Sequence, residues 1–272
     1  MMRSLYSGIT GLRNHQTRMD VIGNNISNVN TAGYKASRVV FSDIYSQTIS
    51  PASGSTAGSG GTNPKQIGLG AAIATIDVLH TASASQYTGA PLDVSIEGDG
   101  YFVLSNNGQY TYTRAGNFYT DGNDNLVSSN GAFIQGYAVT GGTTSTTLSN
   151  IHIDPSYYDV SIDETGAIVG IDTDGDKVTI GYIALATFPN ENALEKVGQS
   201  AYRSTVNSGA AQYSVPGSDG AGTLNPGTLE MSNVDLASEF TDMIVTQRGF
   251  QANSRIITTT DSMLEELVNL KR

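Results

Sequence analysis

Two acidic segments are the stretches of this sequence whose residue types could bind a metal ion. Residues 172–176 read Asp-Thr-Asp-Gly-Asp, and residues 121–125 read Asp-Gly-Asn-Asp-Asn. Closely spaced carboxylates bind calcium in EF-hand loops, but that pattern requires a glycine and then a glutamate at set distances, and neither segment has this arrangement. Asp and Gly favour tight turns whether or not a metal is present. We therefore interpret both segments as exposed acidic turns and predict no metal site.

Residues that could support catalysis are few. His15, His80 and His152 are isolated in the sequence and have no metal-ligand spacing. The chain has no Cys, which excludes a thiolate nucleophile, and no Gly-x-Ser-x-Gly turn joins a predicted strand to a predicted helix. His15 falls on a predicted helix, where we expect a packing or capping role. We predict no catalytic residue and no cofactor.

The composition argues against several classes of partner. The chain has 14 Lys and Arg against 25 Asp and Glu, a formal charge of −11, and its cations are dispersed. A nucleic acid or an anionic membrane surface is therefore a poor partner. No apolar run is as long as a membrane span, and the first residues contain no apolar segment typical of a signal peptide. We expect no membrane insertion and export without a cleaved signal peptide.

The elements that must position any functional residue include a long helix near the end of the chain. From Leu236 onward, apolar residues recur at alternating steps of four and three, which is the period of one face of an α-helix. Ser232 or Asn233 can cap the first turn of this helix. The apolar face consists of Leu236, Phe240, Met243, Phe250, Ile257, Leu264 and Val268. Such a face requires a partner along much of its length.

A matching face lies in a first helix that we expect over residues 3–28. It consists of Leu5, Ile9, Leu12, Met19 and Ile26. The two terminal helices are amphipathic and are predicted to pair in a coiled-coil-like manner. Periodicity alone leaves two interpretations open, a helical hairpin that belongs to a single domain or a module through which the chain polymerises.

The middle of the chain is predicted to be rich in β-strands. Short apolar runs such as residues 101–104 and 109–113 are separated by Gly- and Asn-containing turns, and residues 193–196 could form a short helical turn. We expect an α+β fold with three parts. Residues 1–35 and 228–272 would form a terminal helical polymerisation domain, and residues 36–70 and 214–227 would form Gly/Ser-rich linkers or contact arms. Residues 71–213 would form a β-rich globular domain inserted between the helices.

Both ends of the chain carry motifs that resemble the bacterial flagellar rod and hook family of axial proteins. One motif is an Asn-rich block at the end of the first helix, and the other runs through residues 227–236 and 243–254. The matching residues are Asn24, Asn25, Asn28, Asn30, Gly33, Asn233, Gln247, Arg248 and Asn253. The resemblance implies a structural subunit, rather than an enzyme, that self-assembles through its terminal helices.

Within that family, residues 233–236 and the final Leu-Val-Asn-Leu resemble the hook subunit. The chain is therefore predicted to form the tubular flagellar hook, the flexible joint that transmits torque from rod to filament. The alternative is the distal rod subunit of the basal body, because the distal rod family tends to carry an extra segment where this chain has its Ser- and Gly-rich residues 50–61. Outside the family, a secreted β-rich adhesin or enzyme is a further alternative.

The resemblance also implies partners and a location. The partners would be further copies of the chain in a helical homopolymer, the rod and hook-filament junction proteins, the hook cap and the flagellar export apparatus. The location would be the extracellular hook or the basal body of the bacterial flagellum.

Overall fold

The computed structural model describes residues 2–55, 58, 60–140, 143–145 and 147–270. The chain divides into two compact units, each assembled from separate segments. Unit 1 comprises Met1–Ser27, Ser37–Val78 and Val234–Arg272, and unit 2 comprises Asn28–Ala36 and Leu79–Asn233. The boundaries expected from the sequence differ from these, since residues 28–35 belong to unit 2 and residues 71–78 to unit 1.

Unit 1 contains two long helices, α1 over Met2–Ser27 and α2 over Leu236–Asn269. Asp235 caps α2, because its side chain accepts a hydrogen bond from the backbone N–H of Ala237 at 3.0 Å. The prediction that Ser232 or Asn233 caps this helix is therefore wrong, since both residues precede the N-cap position. Over its described residues, neither helix combines the length and the apolar character that a membrane span needs.

Unit 1 also contains four strands, three of them in the region 36–70 expected to be a linker or arm and the fourth just beyond it. They are β1 Ser37–Asp43, β2 Ser46–Ser50, β3 Lys65–Gly68 and β4 Ala71–Val78. β1 pairs with β4 and β2 pairs with β3, both antiparallel. Part of the Ser- and Gly-rich segment 50–61, namely residues 56, 57 and 59, lies outside the described residues. We call the antiparallel pair of β2 and β3, which flanks this segment, the two-stranded arm.

Unit 2 is mainly β, as the sequence predicts. Its strands are β5 Ser85–Tyr87, β6 Val94–Glu97, β7 Tyr101–Asn106, β8 Gln109–Thr113, β9 Phe118–Thr120, β10 Leu126–Ser128, β11 Phe133–Thr140, β12 Thr143–Thr144, β13 Ser149–Asn150, β14 Tyr158–Ile162, β15 Ala167–Ile171, β16 Lys177–Ile183, β17 Leu185–Thr187, β18 Glu195–Gly198, β19 Ala201–Arg203, β20 Gln212–Ser214, β21 Thr223–Pro226 and β22 Thr228–Glu230. A 3-10 turn spans Glu191–Ala193. The helical turn predicted at residues 193–196 is wrong in its position, because β18 already begins at Glu195 and pairs with β19.

The described strands of unit 2 form one large sheet and two small pairs. The central path of the large sheet runs β14-β15-β16-β11-β7-β8-β19-β18, and β6 pairs with β21 and β5 with β22. Most neighbours on the path are consecutive hairpins or near-consecutive strands, which is the order that Gly- and Asn-containing turns favour. The sheet buries two apolar clusters, one that includes Phe102, Leu126 and Ile168 and one that includes Tyr101, Tyr112 and Tyr202.

Candidate assembly surface

The two helices of unit 1 pack against each other through small residues. A Cβ atom added at Gly11 would lie 2.6 Å from the side chain of Asn253, and one added at Gly249 would lie 2.7 Å from the ring of His15. At Gly8 an added Cβ would lie 3.3 Å from a side chain of α2. Residue numbers rise along α1 as they fall along α2, so the pair is antiparallel. The glycines allow the two backbones to approach closely.

Polar side chains join the helices further along the same contact. Arg18 Nη2 lies 3.0 Å from Asp242 Oδ2, and Asn25 Nδ2 donates to Glu239 Oε1 at 2.9 Å. Burial raises the pKa of the Glu239 carboxyl, and the hydrogen bond from Asn25 opposes this shift. The contact between α1 and α2 therefore combines glycines and polar side chains with the apolar side chain of Ile257, which lies against Gly8.

Three buried polar atoms of the helices have no hydrogen-bond partner among the described residues. They are Asn14 Nδ2, His15 Nδ1 and Thr246 Oγ1. Burial lowers the pKa of His15, and the nearby Arg18 cation lowers it further, so the imidazole is neutral at pH 7. The His15 ring packs edge-on against Phe41 of β1 at 6.2 Å between centroids. Its packing role agrees with the expectation from the sequence.

The apolar face predicted on α2 remains largely outside this contact. Phe240 is 50% exposed and Val268 is 67% exposed, and Leu236 and Phe250 are also exposed, whereas Met243, Ile257 and Leu264 are half-buried. Further exposed apolar residues on α2 are Ile244, Val245, Ile256, Met263 and Leu267, and the exposed Leu270 follows the helix. We call the four residues Leu236, Phe240, Phe250 and Val268 the exposed α2 row.

On α1, the predicted face is divided between exposed and half-buried positions. Ile9 is exposed, whereas Leu5, Leu12, Met19 and Ile26 are half-buried. The buried residues of α1 are Gly8, Asn14, Ile22 and Asn25, of which Gly8 and Asn25 lie one position before Ile9 and Ile26 of the predicted face. The buried residues of α2 are Thr246 and Thr260, which also lie outside the predicted apolar face.

Hydrophobic periodicity did not reveal the glycine, asparagine and threonine residues of the α1–α2 contact. Such a period gives weight only to large apolar residues. A period of small or polar residues at Gly8, Gly11 and His15, and again at Thr246, Gly249 and Asn253, was the signal that could have revealed them. Each helix thus has two adjacent faces, one small and polar and one large and apolar.

The family-motif residues occupy different environments. Asn25 is buried and Asn253 is half-buried in the helix contact, whereas Asn24, Gln247 and Arg248 are exposed on the helices. Arg248 Nη1 donates to Gln251 Oε1 at 3.2 Å. In unit 2, Asn28 Oδ1 accepts from Thr31 Oγ1 at 3.2 Å, and Asn30 is exposed.

Gly33 is the motif residue whose type the backbone dictates. Its φ is +66°, and an added Cβ would lie 2.5 Å from the backbone nitrogen of Ala115. Its N–H donates to the carbonyl oxygen of Glu230 at 2.8 Å. Any side chain at this position would be strained and would clash with backbone atoms. Gly33 therefore fixes the Asn-rich segment 28–36 onto β22 within unit 2.

A buried charge cluster secures the same segment, and sequence reasoning did not find it. Lys35 Nζ donates to Glu230 Oε1 at 2.6 Å and to the carbonyl oxygen of Thr81 at 2.7 Å. Arg114 Nη1 lies 3.6 Å from Glu230 Oε2, and it donates to the carbonyl oxygen of Gly98 at 2.9 Å. All three charged side chains are at most 2% exposed. Residues far apart in sequence meet here, so no local pattern predicts the cluster.

The surroundings of this cluster shift the pKa values of nearby groups. Burial lowers the pKa of Lys35, an effect that the Glu230 carboxylate opposes. Burial, together with the cations Lys35, Arg114 and Lys196, lowers the pKa of His80 to about 4. His80 Nδ1 is 2.7 Å from the hydroxyl of Tyr101, whose ring lies 5.0 Å from the Arg114 guanidinium. His80 is therefore neutral at pH 7.

The acidic turns of unit 2 are closed by their own backbones. Gly175 N–H donates to the carbonyl oxygen of Asp172 at 2.9 Å, and Asp172 N–H donates to that of Asp176 at 3.0 Å. Among the described residues, no three side chains of His, Asp or Glu are grouped so that they could hold a metal ion. The geometry therefore gives structural roles, anchoring and helix pairing, to the residues that the motifs single out.

These features together define a chain with paired terminal helices and a β unit between them in sequence. Three family descriptions match the chain: flagella basal body rod protein over residues 5–35, flagellar hook protein FlgE/F/G D1 domain over residues 95–170, and flagellar basal body rod FlgEFG protein C-terminal over residues 225–270.

Full-length relatives agree with those matches. The chain is 51% identical over 273 residues to the flagellar basal-body rod protein FlgG of Bacillus subtilis (strain 168), and 39% identical over 278 residues to that of Borreliella burgdorferi. It is 32% identical over 441 residues to the flagellar hook protein FlgE of Borreliella burgdorferi. Each alignment covers all of this chain and all of the relative. The chain belongs to the flagellar rod and hook protein family, as its terminal motifs predicted.

Proposed function

We propose that this chain is a distal rod subunit of the flagellar basal body that self-assembles through the terminal helices of unit 1. The exposed α2 row carries this proposal. Large apolar side chains on a helix that already has an intramolecular partner favour burial against further chains. Burial of such side chains stabilises an association by about 1.5–3 kcal/mol for each side chain fully removed from water.

This proposal replaces the hook subunit, which the terminal residues predicted, by the distal rod subunit, which was the alternative. The rod relative from Bacillus subtilis aligns over 273 residues, close to the 272 of this chain, whereas the hook relative aligns over 441 and so contains long segments that this chain lacks. The hook function, with its junction and cap partners, thus has less support than its alternative. On the rod proposal the partners are further copies and the neighbouring axial proteins.

The two-stranded arm of unit 1 is a second candidate contact with neighbouring copies. Its exposed apolar residues are Ile49 and Ile67, and the exposed Ile44 and Tyr45 directly precede its first strand. A β-ribbon that leaves Ile side chains in water would gain from burial in an assembly. We include this arm in the proposed assembly surface.

Self-assembly is tested with Phe240→Asp in the full-length chain. A buried, unpaired carboxylate costs several kcal/mol, so the association constant should fall by more than about a hundredfold. Sedimentation measures assembly, and thermal unfolding followed by circular dichroism measures folding. Thr258→Asp is the matched control, because Thr258 is an exposed polar position on the same helix. Assembly of Phe240→Asp at the parent concentration would contradict the proposal.

The rod location is tested separately on purified basal bodies. A gold-labelled antibody against the chain should mark the rod. Label confined to the hook would overturn the rod assignment and leave the self-assembly proposal intact.

A further inference from the structure

The chain passes between the two units four times. The four peptide bonds lie between residues 27 and 28, 36 and 37, 78 and 79, and 233 and 234. Unit 2 therefore starts or stops at Asn28, Ala36, Leu79 and Asn233. Three of these four boundary residues are hydrogen-bonded to one another within unit 2.

The side chain of Asn233 makes most of those bonds. Its Oδ1 accepts from the backbone N–H of Ala36 at 2.8 Å. Its Nδ2 donates to the carbonyl oxygen of Leu79 at 2.8 Å and to Thr81 Oγ1 at 3.0 Å. The N–H of Leu79 then donates to the carbonyl oxygen of Ala36 at 2.8 Å, which closes the set.

The chemistry of this set requires a carboxamide. A backbone N–H can only donate and a backbone carbonyl can only accept, so the orientation of the Asn233 amide is fixed by its partners. An aspartate would lack the donor, and a serine would supply one polar atom on a shorter side chain. Asparagine alone offers an acceptor and two donors at this reach.

Unit 1 contains a second carboxamide with a parallel role. Asn25 Oδ1 accepts from the N–H of Ser37 at 3.0 Å, and Asn25 Nδ2 donates to the carbonyl oxygen of Ser37 at 2.9 Å. The same Nδ2 donates to Glu239 Oε1 at 2.9 Å. Asn25 is 1% exposed. Ser37 is the first residue of unit 1 after a crossing, and Asn25 ties both of its backbone groups to α1.

We propose that Asn233 and Asn25 are positioning residues that fasten the ends of the chain crossings, each within its own unit. Ala36 and Ser37 are consecutive in sequence, and each is held by one of these carboxamides. The crossing between them therefore contains no linker residue of its own. This inference does not depend on whether the chain belongs to the rod or the hook.

The inference assigns a task to two of the motif asparagines that differs from helix capping and from assembly. Asn233 lies before the N-cap of α2 and therefore does not cap that helix. Asn25 is buried on α1 and is therefore not part of the exposed surface proposed for assembly. Loss of either carboxamide should free a crossing without unfolding a unit.

Amide hydrogen exchange on the full-length, 15N-labelled chain tests this directly. Asn233→Ala should raise the exchange rate of the Ala36 amide by about tenfold, the effect of its one lost hydrogen bond. The amides of Phe102 and Leu104 in the core of unit 2 should keep their rates. Thr81→Val removes only one acceptor of the Asn233 amide and should leave Ala36 protected. Asn130→Ala, which removes one exposed side-chain acceptor in a turn, is the matched control.

Two results would overturn the role of Asn233. Unchanged exchange at Ala36 in Asn233→Ala would show that the carboxamide does not fasten this crossing. Equally accelerated exchange at Ala36, Phe102 and Leu104 would show that Asn233 acts only through the overall stability of unit 2.

The same design applies to unit 1. Asn25→Ala should raise exchange at the Ser37 amide by about tenfold while the amide of Ile22 in mid-helix keeps its rate. Gln16→Ala, at an exposed position of the same helix, is the control. Unchanged exchange at Ser37, or equal acceleration at Ile22, would remove Asn25 from the proposal.

Discussion

The two units of this molecule differ in how their charges are distributed. Unit 1 contains nine basic and nine acidic residues, whereas unit 2 contains five basic and sixteen acidic residues, so the whole net charge of −11 lies in unit 2. Two of the five cations of unit 2, Lys35 and Arg114, are buried. A neutral unit can pack against copies of itself without long-range repulsion, whereas a strongly acidic one resists close approach at low salt.

The units also differ in what they bury. Among the described residues, Ile22 is the only buried apolar residue of unit 1, whereas unit 2 has two apolar clusters. Unit 2 thus completes its own core, even at the cost of burying three charged side chains. Unit 1 pairs its helices largely through small and polar residues and leaves many large apolar side chains exposed. We infer that unit 1 is the part of the molecule that gains most from assembly.

The largest expected effect on stability comes from a substitution in the buried charge cluster of unit 2. Glu230→Gln removes the anion between Lys35 and Arg114 and leaves two buried cations. Breaking a buried ion pair in this way costs about 3–5 kcal/mol. Urea unfolding of unit 2 measures the change.

The control for that variant is Glu195→Gln, which breaks the ion pair with Arg203, 2.7 Å long and exposed at both side chains. Exposed pairs contribute at most about 1 kcal/mol. Equal effects in the two variants would contradict the contrast between buried and exposed pairs.

The second largest effect is a dependence of the stability of unit 2 on pH, which arises from His80. The unfolded histidine titrates near 6.5, and the folded one at about 4. Between these values the unfolded chain binds more protons, so stability falls as the pH falls, by up to about 3 kcal/mol over the whole window. His80→Gln should remove this part of the pH dependence in urea titrations at pH 4 to 7.

His152→Gln is the control for the pH experiment, because His152 is exposed. It should unfold with the pH profile of the parent. A parent and a His80→Gln variant with parallel profiles would show that His80 does not titrate differently in the folded state.

Much of the secondary structure could be predicted from local sequence patterns, whereas contacts between distant segments could not. The strand at residues 109–113 was predicted at its observed bounds, because a short alternating run between Gly-containing turns is a local signal. The helices α1 and α2 were also predicted within a few residues. The meeting of Lys35, Arg114 and Glu230 depends on contacts between distant segments, which no periodicity encodes.

The helix contact was hidden for a different reason. Large apolar residues on α2 indicated a face that needs a partner, but α1 contacts that face at Ile257 and leaves the exposed α2 row uncovered. A glycine in a helix is normally unfavourable by about 1 kcal/mol, and its presence at Gly8, Gly11 and Gly249 was the available sign of close packing. The motif asparagines could be located from the sequence, but their bonds to Ser37 and Ala36 could not.

The third prediction compares the changes in stability caused by alanine substitutions at two helix glycines. Gly249→Ala places a methyl group against the ring of His15, and overpacking of this kind costs about 1–3 kcal/mol. Gly23→Ala meets nothing within 4 Å and should stabilise α1 by about 1 kcal/mol through helix propensity alone. Thermal unfolding of unit 1 should therefore shift in opposite directions. Two stabilised variants would show that the helices do not approach closely at Gly249.

The smallest expected effect on stability comes from Glu239→Gln, a substitution that distinguishes the charge of this side chain from its hydrogen bond. Burial raises the pKa of this carboxyl, so the folded state disfavours its charged form, and the resulting loss of stability appears as the pH rises through the folded pKa. Glu239→Gln keeps an oxygen that can accept from Asn25 while it removes the charge. We expect a stabilisation within about 0.5 kcal/mol at pH 7 that disappears at acidic pH, measured as the difference between urea midpoints of parent and variant. A variant that is less stable than the parent at pH 7 would show that the Glu239 charge itself, through Arg18 on the facing helix, stabilises the pair.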